Sequence, residues 1–171
     1  MELSCRASPV WHPSVRHSHM LKNTTQYSEL LKSIRYDRLK LTTILELGVG
    51  TGILTQLILK HTPYNVKGIE IEPHALLKTE QVELMICDMK TVNYSFLNDS
   101  VYGIISNPPY CCLEFIRKLI DKYNVKNVIL MVPDSKLVLF PEFDIMFILN
   151  HRDFDPPASI DSQHFVIKKG F

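Results

Sequence analysis

Three glycines alternate with other residues in 46–52, which read Glu-Leu-Gly-Val-Gly-Thr-Gly. The apolar residues 43–47 predict a short strand, and the amphipathic residues 53–60 predict the first core helix. Glycine at a strand-to-helix turn permits positive φ and lets a ligand lie against bare backbone, and the helix start offers unpaired amide groups. The segment therefore predicts an α/β fold with a small-molecule pocket at this turn.

Strand and helix patterns alternate along most of the chain. The further predicted strands are 65–70, 82–87, 101–106 and 126–132, and the further predicted helices are 24–35, 74–79 and 112–123. Two last extended runs, 143–150 and 163–168, have no helix between them, and such neighbours usually pair antiparallel. The sequence predicts a Rossmann-like α/β fold: a mostly parallel seven-stranded sheet with an antiparallel final strand and helices on both faces.

The length of 171 residues suits one domain. Residues 1–20 lack periodicity and contain Pro9 and Pro13, so we expect a partly disordered arm of residues 1–22 before a folded domain of residues 23–171. A net charge of +1 argues against strong binding of nucleic acid by the chain alone. No apolar run reaches the length of a membrane span, so we expect no membrane partner.

The four cysteines have neither metal-ligand spacing nor the density of a secreted scaffold. We therefore expect no metal site, reduced thiols and a cytoplasmic location. The histidines are scattered, and we interpret His61, His151 and His164 as surface or core residues.

The spacing of the glycine turn distinguishes between nucleotide-like ligands. A dinucleotide fingerprint would need glycine at position 53, where the chain has Ile53, and no Gly-Lys-Ser/Thr follows for a phosphate-binding loop. An acid followed by Gly48, Gly50 and Gly52 suits S-adenosylmethionine, which has no phosphates and carries a sulfonium, an ammonium and a carboxylate. Glu46 is placed to support the turn or the cationic methionine end.

Acidic residues follow the next two predicted strands. Glu70 ends the second strand, where a carboxylate can accept hydrogen bonds from a ribose diol, and Glu72 is the alternative. Asp88, after the third strand, can accept from an adenine amino group. The residues that could wall the adenine ring are Ile71, Cys87 and Met89. Each element read alone could also be a tight turn or an exposed strand-end acid.

Asn107-Pro108-Pro109-Tyr110 ends the fourth predicted strand. The two prolines make a rigid corner that presents the Asn107 side-chain oxygen and the Pro108 carbonyl oxygen as acceptors. An amide or exocyclic nitrogen is a poor nucleophile, and two acceptors that hold its hydrogens direct its lone pair at the methyl donor. Tyr110 can stack on a planar target group. The alternative is a Pro-Pro turn that only ends a strand.

With these motifs in order, the chain resembles the Rossmann-type class I amino-methyltransferases, and within them the rRNA adenine N6-dimethyltransferase family. Residues 154–162 read Phe-Asp-Pro-Pro-Ala-Ser-Ile-Asp-Ser, similar to the family pattern F-x-P-x-P-x-V-x-S. The resemblance implies a methyltransferase catalytic domain. It implies that the target base is bound and positioned by Asn107, Pro108, Tyr110 and Phe154. It implies that Phe154 stacks opposite Tyr110, whereas the residues alone equally allow Phe154 as a core residue.

The chain departs from that family at several positions. Pro108 stands where the family usually has Leu or Ile, Ala158 replaces a proline, and the chain stops at Phe171 without the family's helical RNA-holding domain. Asn-Pro-Pro-Tyr is the commoner form in DNA adenine and protein-glutamine methyltransferases. These departures concern the substrate more than the chemistry.

Three functions follow from these patterns. The first is S-adenosylmethionine-dependent methylation of adenine N6 in RNA, or in DNA. The second is methylation of a protein glutamine side chain. The third belongs to another class, a cofactor-binding subunit that has no activity of its own and depends on a partner. The net charge is close to zero, which predicts that a partner subunit contributes the binding of the target.

Overall fold

The computed structural model describes residues 20–72, 80–155 and 163–171. The short strands β1 (Met20–Leu21) and β8 (Phe154–Asp155) form an antiparallel pair. The main sheet has seven strands: β2 (Thr43–Leu47), β3 (Asn65–Glu70), β4 (Val82–Ile86), β5 (Tyr102–Ser106), β6 (Val128–Pro133), β7 (Asp144–Leu149) and β9 (His164–Lys169). Their order across the sheet is β4-β3-β2-β5-β6-β9-β7.

Every neighbouring pair from β4 to β6 is parallel, and β9 runs antiparallel to both β6 and β7. The predicted seven-stranded sheet with an antiparallel final strand is therefore confirmed. The strand order reverses between β2 and β5, because the crossovers lead from β2 towards one edge and from β5 towards the other. At such a switch point, the carboxyl ends of the two strands leave a crevice between their loops.

The described α-helices are α1 (Thr25–Ser33), α2 (Ile53–His61) and α3 (Leu113–Tyr123). They match the predicted helices to within one or two residues at each end. Helix α3 ends at Asn124, which adopts a left-handed φ of 51° and donates its backbone N–H to the last turn. The helix predicted at 74–79 lies outside the described residues.

The sheet separates two apolar cores. Val128, Leu130 and Val132 of β6 belong to the core that contains the apolar face of α3. The alternating residues Ile129 and Met131 belong to the core that contains α1 and α2. This period-two alternation buries both faces of the strand, and each fully buried aliphatic side chain contributes roughly 1.5–3 kcal/mol. The prediction of helices on both faces is confirmed.

The segment before α1 is hydrogen-bonded to the residue before β8. The backbone N–H groups of Lys22 and Asn23 donate to the Asp153 carbonyl oxygen, at 2.7 and 3.2 Å. Residues 20–22, which the sequence pattern assigned to an arm, are thus bonded to residues 153–155. In the described ranges, no helix has the length and apolar composition that a membrane crossing needs.

Candidate functional site

The glycine turn joins β2 to α2, and its three glycines adopt left-handed backbone conformations. Gly48, Gly50 and Gly52 have φ values of 84°, 55° and 81°, which favour glycine at each position. A Cβ on Gly48 would lie 2.9 Å from the Cδ of Pro109, whereas a Cβ on Gly50 would meet nothing within 4 Å. Gly48 therefore permits close packing of the turn against the proline corner, and Gly50 presents bare backbone to open space.

Glu46 lies beneath this turn and is only 1% exposed. The Thr55 hydroxyl of α2 donates to its Oε2 at 2.6 Å. Burial raises the pKa of Glu46 from 4.5 to about 8, the Thr55 hydrogen bond opposes this rise, and the charge of Glu70 adds to it. Glu46 thus ties β2 to α2 through its side chain. Its contact with a cationic ligand stays a prediction.

The Glu70 carboxylate holds the same turn from the neighbouring strand. Its Oε2 accepts the Gly50 N–H at 2.7 Å, and its Oε1 accepts the N–H groups of Ile71 and Glu72 at 2.7 and 3.0 Å. A carboxylate offers about four acceptor positions, so one remains for a ligand hydroxyl. The predicted ribose contact of Glu70, with Glu72 as the alternative, stays a prediction.

The four residues predicted to surround the adenine ring differ in their solvent exposure. Ile71 is 50% exposed. Asp88 is also exposed, and its Oδ1 accepts the Lys90 N–H at 2.9 Å, which fixes the carboxylate at the start of a short helical turn. Cys87 and Met89 are 4% and 7% exposed and pack in the core on the α3 side. The side chains of Ile71 and Asp88 are therefore the better placed of the four to face a ligand.

The proline corner follows β5 directly. Ser106 is fully buried, and its hydroxyl donates to the Leu47 carbonyl oxygen at 2.6 Å, which ties the end of β5 to the end of β2. Asn107 is partly exposed, and within the described ranges neither its side chain nor the Pro108 carbonyl oxygen takes part in a hydrogen bond. The two predicted acceptors thus lie beside the glycine turn, and no group in the described ranges occupies them with a hydrogen bond.

Tyr110, the last residue of the corner, is anchored from a distant strand. Its hydroxyl lies 2.7 Å from Nδ1 of His164, and the two rings lie 5.3 Å apart. His164 is 2% exposed at the start of β9, and burial raises the pKa of Tyr110. The ring of Tyr110 is only partly buried, so one part remains open to a ligand.

Phe154 occupies the core position rather than an open one. It is 1% exposed, its ring lies 4.7 Å from the ring of His164, and it packs in the core on the α1 side. Of the two interpretations of this residue, the structure matches the core residue. Stacking of Phe154 on a target opposite Tyr110 is not possible in this conformation, because the ring has no accessible face.

Several site residues lack a clear signal in the sequence. The sequence predicts His164 as a surface or core histidine, and in the structure it is buried and contacts both Tyr110 and Phe154. Ser106 and Thr55 join neighbouring elements of the site. Of these residues, only Ser106 carries a signal in the sequence, because it is a polar residue at the end of a largely apolar strand. In the described part of the chain, no three His, Cys, Asp or Glu side chains gather closely enough to hold a metal ion.

Solved structures with a similar fold are methyltransferases. The 23S rRNA methyltransferase ErmE matches with a TM-score of 0.67 and 15% identity, over 88% of this chain and 69% of that chain. A dimethyladenosine transferase from Plasmodium falciparum matches with a TM-score of 0.60 and 23% identity, over 88% and 63% of the two chains. A chain of the Mtq2-Trm112 complex of E. cuniculi, which methylates the termination factor eRF1, matches with a TM-score of 0.55 and 19% identity, over 88% and 97%.

These likenesses show that the chain has the Rossmann-like fold of class I methyltransferases. The chain matches no protein-family model, and the comparison with curated proteins found no match. The chain spans 69% of ErmE and 63% of the dimethyladenosine transferase.

Proposed function

We propose that this chain is an S-adenosylmethionine-dependent methyltransferase that methylates an amino nitrogen, with adenine N6 in RNA as the first candidate and DNA adenine next. One observation carries the proposal. The glycine turn and the Asn107 corner lie at the carboxyl ends of the adjacent strands β2 and β5, and Gly48 brings the turn against Pro109. A methyl donor on the turn and an acceptor nitrogen at the corner would therefore be neighbours.

The residues around the glycine turn fit this cofactor. Gly50 offers bare backbone beside open space, where a side chain would otherwise stand. Glu70 retains capacity to accept from a ribose hydroxyl, and the exposed Ile71 and Asp88 fit an apolar ring that carries an amino group. When bound, the cofactor supplies an electrophilic methyl group. The protein's part is to hold that group in a fixed direction and to exclude water from it.

The corner residues act on the target. The Asn107 side-chain oxygen and the Pro108 carbonyl oxygen accept the two hydrogens of the amino group, and its lone pair is then directed away from them. Developing positive charge on the nitrogen is stabilised by the same two oxygens, so no strong base is needed before transfer. Tyr110, held by His164, gives a planar surface on which a base or an amide can stack. A base within a duplex would first have to leave the stack.

The net charge of +1 and the pairing of cations near α3 support a partner for target binding. Arg117 forms ion pairs with Asp121 and Glu142, and Lys169 also pairs with Glu142. Cations that are already paired release few counterions from a nucleic acid backbone and add little affinity. We therefore propose that a partner subunit contributes to nucleic acid binding.

Free thiols at Cys87, Cys111 and Cys112 support a reducing, cytoplasmic setting.

A second candidate is methylation of a protein glutamine. It is supported by the likeness in fold to a chain of the Mtq2-Trm112 complex, whose methylation target is a protein, the termination factor eRF1. Both targets present a planar NH2 group, so the same two oxygens serve either chemistry. The difference between them would lie in what borders Tyr110.

The test is transfer of labelled methyl from S-adenosylmethionine to RNA, to DNA and to protein in parallel. We expect label in RNA, and we expect Asn107→Ala to reduce the rate by roughly 100-fold while cofactor binding persists. Asn98→Ala, at an exposed asparagine in a short helical turn, is the matched control. Label in protein alone would favour the glutamine reaction. Cofactor binding without transfer to any pool would indicate the partner-dependent subunit.

A further inference from the structure

The two strands that carry the site motifs stop pairing with each other before they end. Pairing between β2 and β5 ends at Leu45 and Ile104, whereas the strands themselves continue to Leu47 and Ser106. Each strand stays paired with its outer neighbour, β3 or β6, up to its last residue. The sheet therefore opens between β2 and β5 at the end where the glycine turn and the proline corner follow.

One side-chain hydrogen bond crosses this opening. The Ser106 hydroxyl donates to the Leu47 carbonyl oxygen at 2.6 Å, so it joins the last residue of β5 to the last residue of β2. Ser106 is 0% exposed, and a buried hydroxyl costs free energy unless it is bonded. A small apolar residue such as alanine would fill much of the same space, so the hydrogen bond is what serine adds at this position.

The bond joins the residues that directly precede the two site motifs. Leu47 precedes Gly48 of the glycine turn, and Ser106 precedes Asn107 of the proline corner. The turn itself is also hydrogen-bonded to the neighbouring strand β3. The position of the corner relative to the turn is therefore set by the serine bond and by the packing of Pro109 against Gly48.

We propose that Ser106 is a positioning residue for methyl transfer, whose hydrogen bond sets the distance between the target nitrogen at Asn107 and the methyl donor on the glycine turn. The inference rests on the proposed function and applies equally to an adenine and to a glutamine amino group. In-line transfer needs the reacting atoms about 3–3.5 Å apart, and a displacement of about 1 Å can slow an enzyme roughly 100-fold. Within 43–47 and 102–106, no residue pair beyond Leu45 and Ile104 resists such a displacement, so the resistance falls to the serine hydroxyl.

This role differs from that of the residues that bind the ligands. Ser106 is fully buried, so it acts through Asn107 and not on the target itself. Its loss should slow the transfer step without weakening cofactor binding at the turn. A serine that served stability alone would lower the unfolding temperature and leave the rate of the folded protein unchanged.

The experiment compares Ser106→Ala with Ser33→Ala. The Ser33 hydroxyl donates to the Leu30 carbonyl oxygen at 2.7 Å in α1, so this control loses the same kind of bond outside both motifs. For each variant, kcat and KM are measured with the target pool that wild type labels, well below the unfolding temperature. Calorimetry gives the affinity for S-adenosylhomocysteine. If the alanine variant does not fold, Ser106→Cys takes its place, because a thiol fills the same space and donates only weakly.

We expect Ser106→Ala to lower kcat roughly tenfold, with KM and the affinity for S-adenosylhomocysteine unchanged, and Ser33→Ala to keep the kcat of wild type. Ser106→Cys should also be slower than wild type at unchanged affinity. The double variant with Asn107→Ala should be no slower than Asn107→Ala alone, because the serine acts through Asn107. A crystal structure of Ser106→Ala should show Asn107 farther from Gly48 than in wild type, which is a readout independent of activity.

Three results would overturn the proposal: an unchanged kcat, a loss of S-adenosylhomocysteine affinity that matches the loss of rate, or effects of the Ser106 and Asn107 substitutions that multiply. An unchanged separation of Asn107 from Gly48 in the alanine variant would overturn it as well. Failure of wild type to transfer methyl to RNA, DNA or protein would overturn the proposed function, and this inference with it.

Discussion

The glycine-turn side and the proline-corner side of the site are assembled over different distances along the chain. On the turn side, Thr55 bonds Glu46 across 9 residues, and Gly50 bonds Glu70 across 20. On the corner side, Tyr110 meets His164 across 54 residues, and Ser106 reaches the Leu47 carbonyl across 59. The first side can form with its own βαβ unit, whereas the second needs most of the sheet in place.

The two sides also differ in how their polar groups are used. The Glu70 carboxylate already accepts three backbone N–H groups, and Glu46 accepts the Thr55 hydroxyl. Asn107 and the Pro108 carbonyl oxygen engage no other group in the parts of the chain that the structure describes. The turn is thus held rigid by its own hydrogen bonds, and the corner keeps its acceptors for a ligand. This contrast fits a rigid turn that binds the cofactor and a corner whose acceptors are available to the target amino group.

The largest expected effect comes from closing the open space at Gly50. In Gly50→Asp, the side chain and its charge would project into that space, and we expect roughly 100-fold weaker binding of S-adenosylhomocysteine, about 2.7 kcal/mol. Gly48→Ala is the comparison, because its Cβ would collide with Pro109 and should lower the unfolding temperature instead. Calorimetry and thermal unfolding measure both effects. If Gly50→Asp bound S-adenosylhomocysteine with the affinity of wild type, the glycine turn would not be the cofactor-binding site.

A smaller effect is expected on the corner side from His164→Leu. Loss of the hydrogen bond frees the Tyr110 ring, and we expect methyl transfer to slow roughly tenfold while cofactor affinity stays unchanged. Tyr110→Phe removes the same bond and keeps the ring, so the double variant should be no slower than His164→Leu alone. Weaker cofactor binding without slower transfer would show that His164 serves the turn side instead.

The stability of the turn side should depend on pH through Glu46. Its pKa is raised in the folded state from 4.5 to about 8, so its stabilising contribution is complete below pH 4.5 and is lost as pH rises towards 8. Glu46→Gln should remove that loss, on the order of a few kcal/mol between these limits. Denaturant unfolding at several pH values measures it. An equal pH dependence in both proteins would contradict a neutral, buried Glu46.

Thr55→Val is the companion variant. The Thr55 hydroxyl lowers the pKa of Glu46, so its removal should raise the folded-state pKa and extend the loss of stability to higher pH, while the onset of the loss stays near pH 4.5. A shift to lower pH would mean that the hydroxyl does not stabilise the ionised carboxylate.

The smallest effect is expected away from both sides, at the ion pairs of Arg117. Partly exposed pairs contribute about 0–1 kcal/mol, so Arg117→Met should change unfolding only slightly. Cofactor affinity and transfer rate should equal those of wild type. A clear fall in transfer to RNA alone would extend the target surface to α3.

The predictable part of the molecule is the part with local signals. Strand β3 was predicted at its observed bounds, and α2 differs by one residue, because hydrophobic periodicity and the glycine turn are local patterns. The sequence predicts that Gly48 and Asn107 follow strands, and the structure adds that these strands, β2 and β5, are adjacent in the sheet.

The unpredictable part depends on partners that are far apart in sequence. Phe154 could equally be an open stacking ring or a core residue, and the choice is made by pairing of β8 with Met20 and Leu21, more than a hundred residues earlier. The role of His164 depends on Tyr110 arriving opposite it from another strand. A hydrophobic pattern places such side chains on a face but does not identify their partners.

The most direct test of this account is a crystal structure with S-adenosylhomocysteine bound. We expect the ligand along the glycine turn, with its ribose at Glu70, its adenine beside Ile71 and Asp88, and its sulfur facing Asn107. The ligand in another cleft, or an Asn107 side chain turned away from the sulfur, would contradict the account.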